Sequence, residues 1–372
     1  MKIKQLILTV LLPFLSVLFM SLQDKPVNPV QKYTSFKPGQ LWMDNNGVYI
    51  NAHGGGILYY NKYYYWYGEH KIAGDAGNSA QLGVHCYSSK DLYNWKDEGI
   101  SLKVSDSDKH DLAKGCILER PKVIFNAKTN KFVMWFHLEL KGKGYAAARS
   151  GVAVSDNATG PFTFIASYRI NAKTFPLNFE PSDTAKHKDN FFVRDYNTGQ
   201  MARDMNLFVD DNNIAYHIFS SEENSTMQIA QLTDDYLKPS GKFIRIFKNK
   251  SREAPAVFKH NGKYYLITSA CTGWAPNAAM IAVADSMLGK WTELSNPCTG
   301  LDAELTFKGQ STYIQPVQGK KDAFIFMADI WKPLNAIDGR YLRLPVTFEA
   351  DKVVIPWLDE WDLSYFNKNT KQ

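Results

Sequence analysis

Gly56-Ile-Leu-Tyr-Tyr-Asn-Lys-Tyr-Tyr-Tyr-Trp-Tyr67 reads as two short strands rich in aromatic residues, joined at Asn61-Lys62. An Asn-led two-residue connection between such strands is a β-hairpin signal. The pattern returns as Pro121-Lys-Val-Ile-Phe-Asn-Ala-Lys-Thr-Asn-Lys-Phe-Val-Met-Trp-Phe136 and Met205-Asn-Leu-Phe-Val-Asp-Asp-Asn-Asn-Ile-Ala-Tyr-His-Ile-Phe219. It returns again as Pro255-Ala-Val-Phe-Lys-His-Asn-Gly-Lys-Tyr-Tyr-Leu-Ile267 and Thr312-Tyr-Ile-Gln-Pro-Val-Gln-Gly-Lys-Lys-Asp-Ala-Phe-Ile-Phe-Met327. With Ile57, Val123, Leu207, Val257 and Ile314 as equivalent points, the copies are 66, 84, 50 and 57 residues apart. Such steps suit four-stranded blades carrying insertions.

A second element follows each of the first four hairpins: Ser88 to Trp95, Ser155 to Phe162, Thr233 to Gly241 and Ala284 to Trp291. Each is a polar turn ending in an aromatic residue or glycine, suited to carrying the chain into an outer strand. No long window shows an apolar period of three and four, which disfavours an α/β barrel. The expected fold is all-β, a five-bladed β-propeller over residues 23–372.

The bulk properties agree. The chain has 372 residues, of which 45% are hydrophobic and 14% aromatic, enough for a large core. Its formal charge of +6 is spread along the chain, with no basic run interleaved with aromatics, so a nucleic-acid partner is excluded. Lys2 and Lys4 precede an apolar stretch from Leu6 to Leu22, read as a signal peptide over residues 1–22. Pro13 and the short length argue against a membrane span. A secreted or periplasmic location follows, without a lipid-anchor cysteine. Cys86, Cys116, Cys271 and Cys298 lack C-x-x-C spacing, so zinc is not suggested; Cys271 and Cys298 either pair or remain free thiols.

A propeller gathers the starts of its inner strands around one mouth of the central channel. Here those positions carry Asn51-Ala-His-Gly-Gly-Gly56, Glu119-Arg-Pro-Lys122, Arg203-Asp-Met205, Arg252-Glu-Ala-Pro255 and Gln310-Ser-Thr-Tyr313. A lone acid beside an arginine is as often a strand-end ion pair. Three carboxylates recurring at equivalent blade positions point to a site, because clustered acids perturb one another's ionisation.

Together with Tyr65-Trp-Tyr-Gly-Glu69 and Cys271-Thr-Gly-Trp274, these motifs resemble glycoside hydrolase family 43, in particular its exo-β-1,3-galactanases. The resemblance spans about Trp42 to Trp361. It implies an inverting, exo-acting hydrolase of β-1,3-galactan with Glu253 as general acid. Glu119 would modulate that acid and hold the sugar, and Gln310 would hold or activate the water. It further implies Glu69, Arg120, Tyr145, Asp204, Asn224 and Thr272 as sugar contacts. His53, Trp274 and Trp331 are candidates from their placement and chemistry, the tryptophans by stacking on sugar faces. The departure is on the first strand, where a typical member carries Asp-Pro-Ser-Ile and this chain has Gly54-Gly-Gly-Ile57. If Gln310 serves the water of an inverting reaction, it should stand roughly 6.5 to 9.5 Å from Glu253. Asp329 and Asp338 are the alternative bases. An arabinofuranosidase or β-galactofuranosidase acting on side chains is a second reading, and a glycan-binding propeller without activity a third. No cofactor is expected and no dense carboxylate loop demands calcium. The expected partner is the glycan alone, bound by a monomer.

Overall fold

The computed structural model describes residues 31–185, 189–350 and 352–367. The expected leader over residues 1–22 lies outside them. Blade I comprises β1 (His53–Tyr60), β2 (Tyr63–Lys71), β3 (Gln81–Ser89) and β4 (Lys96–Lys103). Blade II comprises β5 (Ile117–Asn126), β6 (Lys131–Glu139), β7 (Arg149–Ser155) and β8 (Thr163–Tyr168). Blade III comprises β9 (Met205–Val209), β10 (Ala215–Ser221), β11 (Thr226–Leu232) and β12 (Pro239–Ile246). Blade IV comprises β13 (Arg252–His260), β14 (Lys263–Ala270), β15 (Met280–Ala284) and β16 (Thr292–Glu293). In blade V a short β17 (Cys298–Thr299) runs parallel to β21 (Lys352–Pro356), outside β18 (Gln310–Pro316), β19 (Phe324–Ile330) and β20 (Arg340–Glu349). The five blades, antiparallel throughout apart from the β17–β21 pair, bear out the expected propeller.

The first and second strands of each blade are the repeated hairpins. Asn61 and Lys62 both take left-handed backbone, as a two-residue turn matching strand twist requires. The second repeated element links third and fourth strands in blades I to IV. In blade I, Asp91 Oδ1 accepts from the amides of Tyr93 and Asn94, and the buried Trp95 donates to the carbonyl of Leu92.

Side chains on a strand alternate between faces, and each blade lies between two others, so both faces are covered. The core is accordingly five clusters, one at each blade interface. Tyr67 and Val84 of blade I meet Leu118 and Phe136 of blade II, while Trp66 and Tyr87 meet Met327 and Tyr341 of blade V. The ring is completed outside the blades where Phe36 pairs with Trp361, Phe36 N to Trp361 O at 2.7 Å. All four cysteines are free. Among the described residues, no helix is long and apolar enough to cross a membrane.

The feature that builds the site is a bulge near the start of four inner strands. Register shifts occur between His53 and Gly56, Glu119 and Lys122, Glu253 and Ala256, and Ser311 and Tyr313. Gly54, Arg120 and Ala254 sit in these bulges with φ of +60°, +56° and +54°. A left-handed conformation at arginine or alanine is strained, and bulges of this kind re-aim neighbouring side chains. Here they turn the side chains of Glu119 and Glu253 to one mouth of the channel.

Candidate active site

At that mouth lies a cavity of about 510 Å³. Its lining includes Glu69, Glu119, Arg120, Tyr145, Asp204, Asn224, Glu253, Trp274, Gln310 and Trp331, contributed by all five blades. Ten of the twelve sequence candidates therefore converge. Thr272 and His53 do not line it. The Thr272 hydroxyl donates to the carbonyl of Ala275 and accepts from Asn277, so it stabilises a turn. The bulge at Gly54 leaves His53 fully buried, stacked 5.2 Å from Tyr341 and 3.7 Å from Asp329.

Arg120 is the hub. Its guanidinium pairs with Asp204 at 2.9 Å, donates to Gln310 Oε1 at 2.5 Å and to the carbonyl of Ser311 at 3.0 Å. Its backbone amide donates to Glu69 Oε1 at 2.9 Å. Gln310 in turn donates through Nε2 to Glu253 at 2.8 Å and to Ser269 at 3.0 Å, and its carbonyl oxygen also accepts from Trp331 at 2.9 Å. Glu253 and Gln310 are thus in direct contact, which overturns the expected separation with water between them. The reason is the bulge after Glu253, which brings its carboxyl across to the head of β18. Asn224 adds a weaker donor to Glu253 at 3.4 Å.

Burial, then the like charge of Asp204, raises the Glu253 carboxyl to about 7, against the pull of Arg120 and of hydrogen bonds from Cys271 and Gln310. Such a carboxyl carries a proton near neutrality, as a general acid must. The like-charge partner is Asp204, not Glu119 as the sequence suggested. Burial pushes Glu119 up as well, but hydrogen bonding and charge from His137, with Lys71 and Tyr145, hold it at about 2. Its charge is balanced locally and is spent on its own partners. One acid is therefore protonated and the other ionised in the same cavity.

At Gly54, where the resemblance leads to the expectation of an aspartate, the structure leaves no room for a side chain. A Cβ built on Gly54 would collide with the Glu69 carboxylate, and a left-handed backbone there disfavours any side chain. Glu69, on the strand paired with β1 and salt-bridged to Lys71 at 2.6 Å, thus brings a carboxylate against the position where Gly54 has no side chain. Neither alternative base reaches the cavity lining. Asp329 is buried, accepting from the Gly54 amide at 2.7 Å, and Asp338 is exposed and holds Asn335.

Sequence reading missed Asn78 and His137 and took Arg203 only as part of the motif that places Asp204 at the mouth; all three line the cavity. Ligand atoms of Glu119, His137 and Asp204 lie within 4.8 Å of one another, as a cation site would require. The donor set does not fit a metal. His137 Nδ1 faces Glu119 at 2.8 Å and Nε2 faces Glu139 at 2.9 Å. Burial favours the neutral ring, but the two carboxylates outweigh it and raise His137 to about 9. An imidazolium donating from both nitrogens has no lone pair for a cation.

A family model, Glycosyl hydrolases family 43, matches residues 180–353. Comparison with curated protein sequences gives no match. Among solved structures, the chain is similar to a family 43 β-1,3-galactosidase in complex with galactodeoxynojirimycin. Identity is 52% and TM-score 0.85, over 88% of this chain and 100% of that one. It is similar to an exo-β-1,3-galactanase from Clostridium thermocellum, with 36% identity and TM-score 0.74 over 88% and 66% of the two chains. It is also similar to an exo-β-1,3-galactanase from Phanerochaete chrysosporium in complex with β-1,3-galactotriose, with 30% identity and TM-score 0.74 over 89% and 68%.

Proposed function

The chain belongs to glycosyl hydrolase family 43 and is a glycoside hydrolase, and on that premise we propose that it removes terminal galactose from β-1,3-galactan with inversion. The observation that carries the chemistry is Glu253, a carboxyl raised to about 7 on the wall of a cavity that also holds the ionised Glu119. Glu253 donates its proton to the glycosidic oxygen as the bond to the anomeric carbon breaks, and water attacks the opposite face of the ring, giving up its own proton to an ionised carboxylate of the cavity. Glu119, Glu69 and Asp204 accept hydroxyl hydrogens of the sugar, while Trp274 and Trp331, 6.1 Å apart and edge to face, supply apolar surface. The similarity to β-1,3-galactosidases and exo-β-1,3-galactanases supports the linkage and the exo action. Action outside the cell, following the leader expected at residues 1–22, belongs to the same proposal.

A glycan-binding propeller without activity would have no use for an acid and its ionised neighbour at the cavity wall. The deciding experiment is incubation with β-1,3-galacto-oligosaccharides, arabinogalactan and aryl furanosides, with products followed by chromatography. Galactose should appear first from the galacto-oligosaccharides. Arabinose from arabinogalactan, with the galacto-oligosaccharides intact, would overturn the linkage assigned here.

A further inference from the structure

Behind Glu119 runs a row of buried charges that the chemistry above does not use. His137 and Glu139 lie two apart on β6, so their side chains leave the same face. Both are essentially inaccessible to solvent. The row reads Glu119, His137, Glu139, and it ends where Glu139 Oε2 accepts the backbone amide of Ala148 at 2.8 Å. Ala148 closes the loop after β6, and that loop carries Tyr145, whose hydroxyl donates to the other oxygen of Glu119 at 2.8 Å. Asn78 then donates to the Tyr145 hydroxyl at 2.7 Å.

We propose that His137 is a positioning residue: an imidazolium clamped between Glu119 and Glu139 that keeps Glu119 an anion and, through Glu139 and Ala148, sets the loop bearing Tyr145. A Glu119–His137 pair alone would leave the second ring N–H buried without an acceptor, and Glu139 supplies it. With one donor on each oxygen, Glu119 keeps lone pairs free for sugar hydroxyls. The other charged groups facing Glu119 are Lys71 from β2, the adjacent Arg120, and Asp204 at the head of β9. The two cations there reinforce the anionic state, but the larger influence is the direct hydrogen bond from His137.

This inference rests on the hydrolase reading for its kinetic arm only. In His137→Asn the buried Glu119 loses its charged partner, so its pKa must rise. The acid limb of kcat/KM on a β-1,3-galacto-oligosaccharide should move up by roughly one to three pH units. Glu139→Gln should move it in the same direction by less. A folded variant of either kind with lowered activity and an unmoved acid limb would reduce His137 to a structural ion pair and overturn the proposal. An independent arm uses the unmodified protein, ¹⁵N-labelled at histidine. Its spectrum at pH 7.5 should show one buried ring protonated at both nitrogens, assigned to His137 by its coupling to the Glu119 and Glu139 environment. A neutral ring at that position would overturn the proposal even if both variants failed to fold or the substrate proved different.

Discussion

Gln310 Nε2 lies 2.8 Å from Glu253 Oε1, and every other hydrogen-bonding group of that amide is occupied as well. Its second N–H reaches Ser269, and its oxygen takes Arg120 and Trp331. Two cationic or N–H donors at the oxygen fix which end of the amide faces the acid. Gln310 is therefore the splint of Glu253, fastened at its far end to the Arg120 hub. An amide has no useful basicity at neutral pH, whereas one whose geometry is fully determined is well suited to aiming a proton donor.

Gln310→Ala should accordingly damage the acid. Loss of orientation is expected to lower kcat roughly tenfold to a hundredfold. Because the Gln310 hydrogen bond lowers the Glu253 pKa, its removal should shift the alkaline limb of the pH profile upward. A drop in kcat with the alkaline limb unmoved would mean that Gln310 acts on the water instead.

Replacing the acid itself is the sharper cut. Glu253→Gln keeps shape and hydrogen bonding but has no proton to give. Turnover on a galactan with an alkoxide leaving group should fall by roughly a hundredfold to ten thousandfold. Galactose binding, measured by calorimetry, should survive. Near-normal turnover would reassign the acid.

The working pH range follows from the same group. Glu253 must be protonated, so kcat/KM should be lost as pH rises through about 7. After burial, Asp204 is the chief group raising that pKa, and Arg120 opposes it. Asp204→Asn removes the repulsion and frees Arg120 to act on Glu253. Both changes favour the carboxylate, so the alkaline limb should move down by about one unit. An upward shift would contradict the charge assignment.

The blades were legible because hairpin turns and alternating apolar residues are local signals, repeated five times. The convergence of Glu119, Asp204 and Glu253 followed from topology alone. Their pairings did not, because these depend on bulges at Arg120 and Ala254, where the chain adopts conformations that arginine and alanine do not advertise. One residue of register is enough to carry His53 behind the wall while Glu69 reaches the cavity. His137 did leave a trace: with Glu139 it interrupts the apolar run Phe132 to Leu140 at a spacing of two, the mark of a polar face turned to the channel. Gln310 was placed correctly at the mouth, but its contact with Glu253 depends on two strands from different blades.

The glycine at position 54 gives the last prediction. On the expectation drawn from the resemblance, an aspartate placed there would supply a base. The structure argues otherwise, because the space is filled by the Glu69 carboxylate and the backbone at Gly54 is left-handed. Gly54→Asp should destabilise the fold by about 1 to 3 kcal/mol from backbone strain alone, with further loss from the collision, and should lower activity rather than raise it. Adding Glu69→Ala removes the collision but keeps the strain. The double variant should therefore be more stable than the sum of the two single losses, with a coupling of about 0.5 to 3 kcal/mol. Thermal unfolding of the two single variants and the double variant measures this directly. Strictly additive losses would show that Glu69 does not occupy the place of the missing side chain.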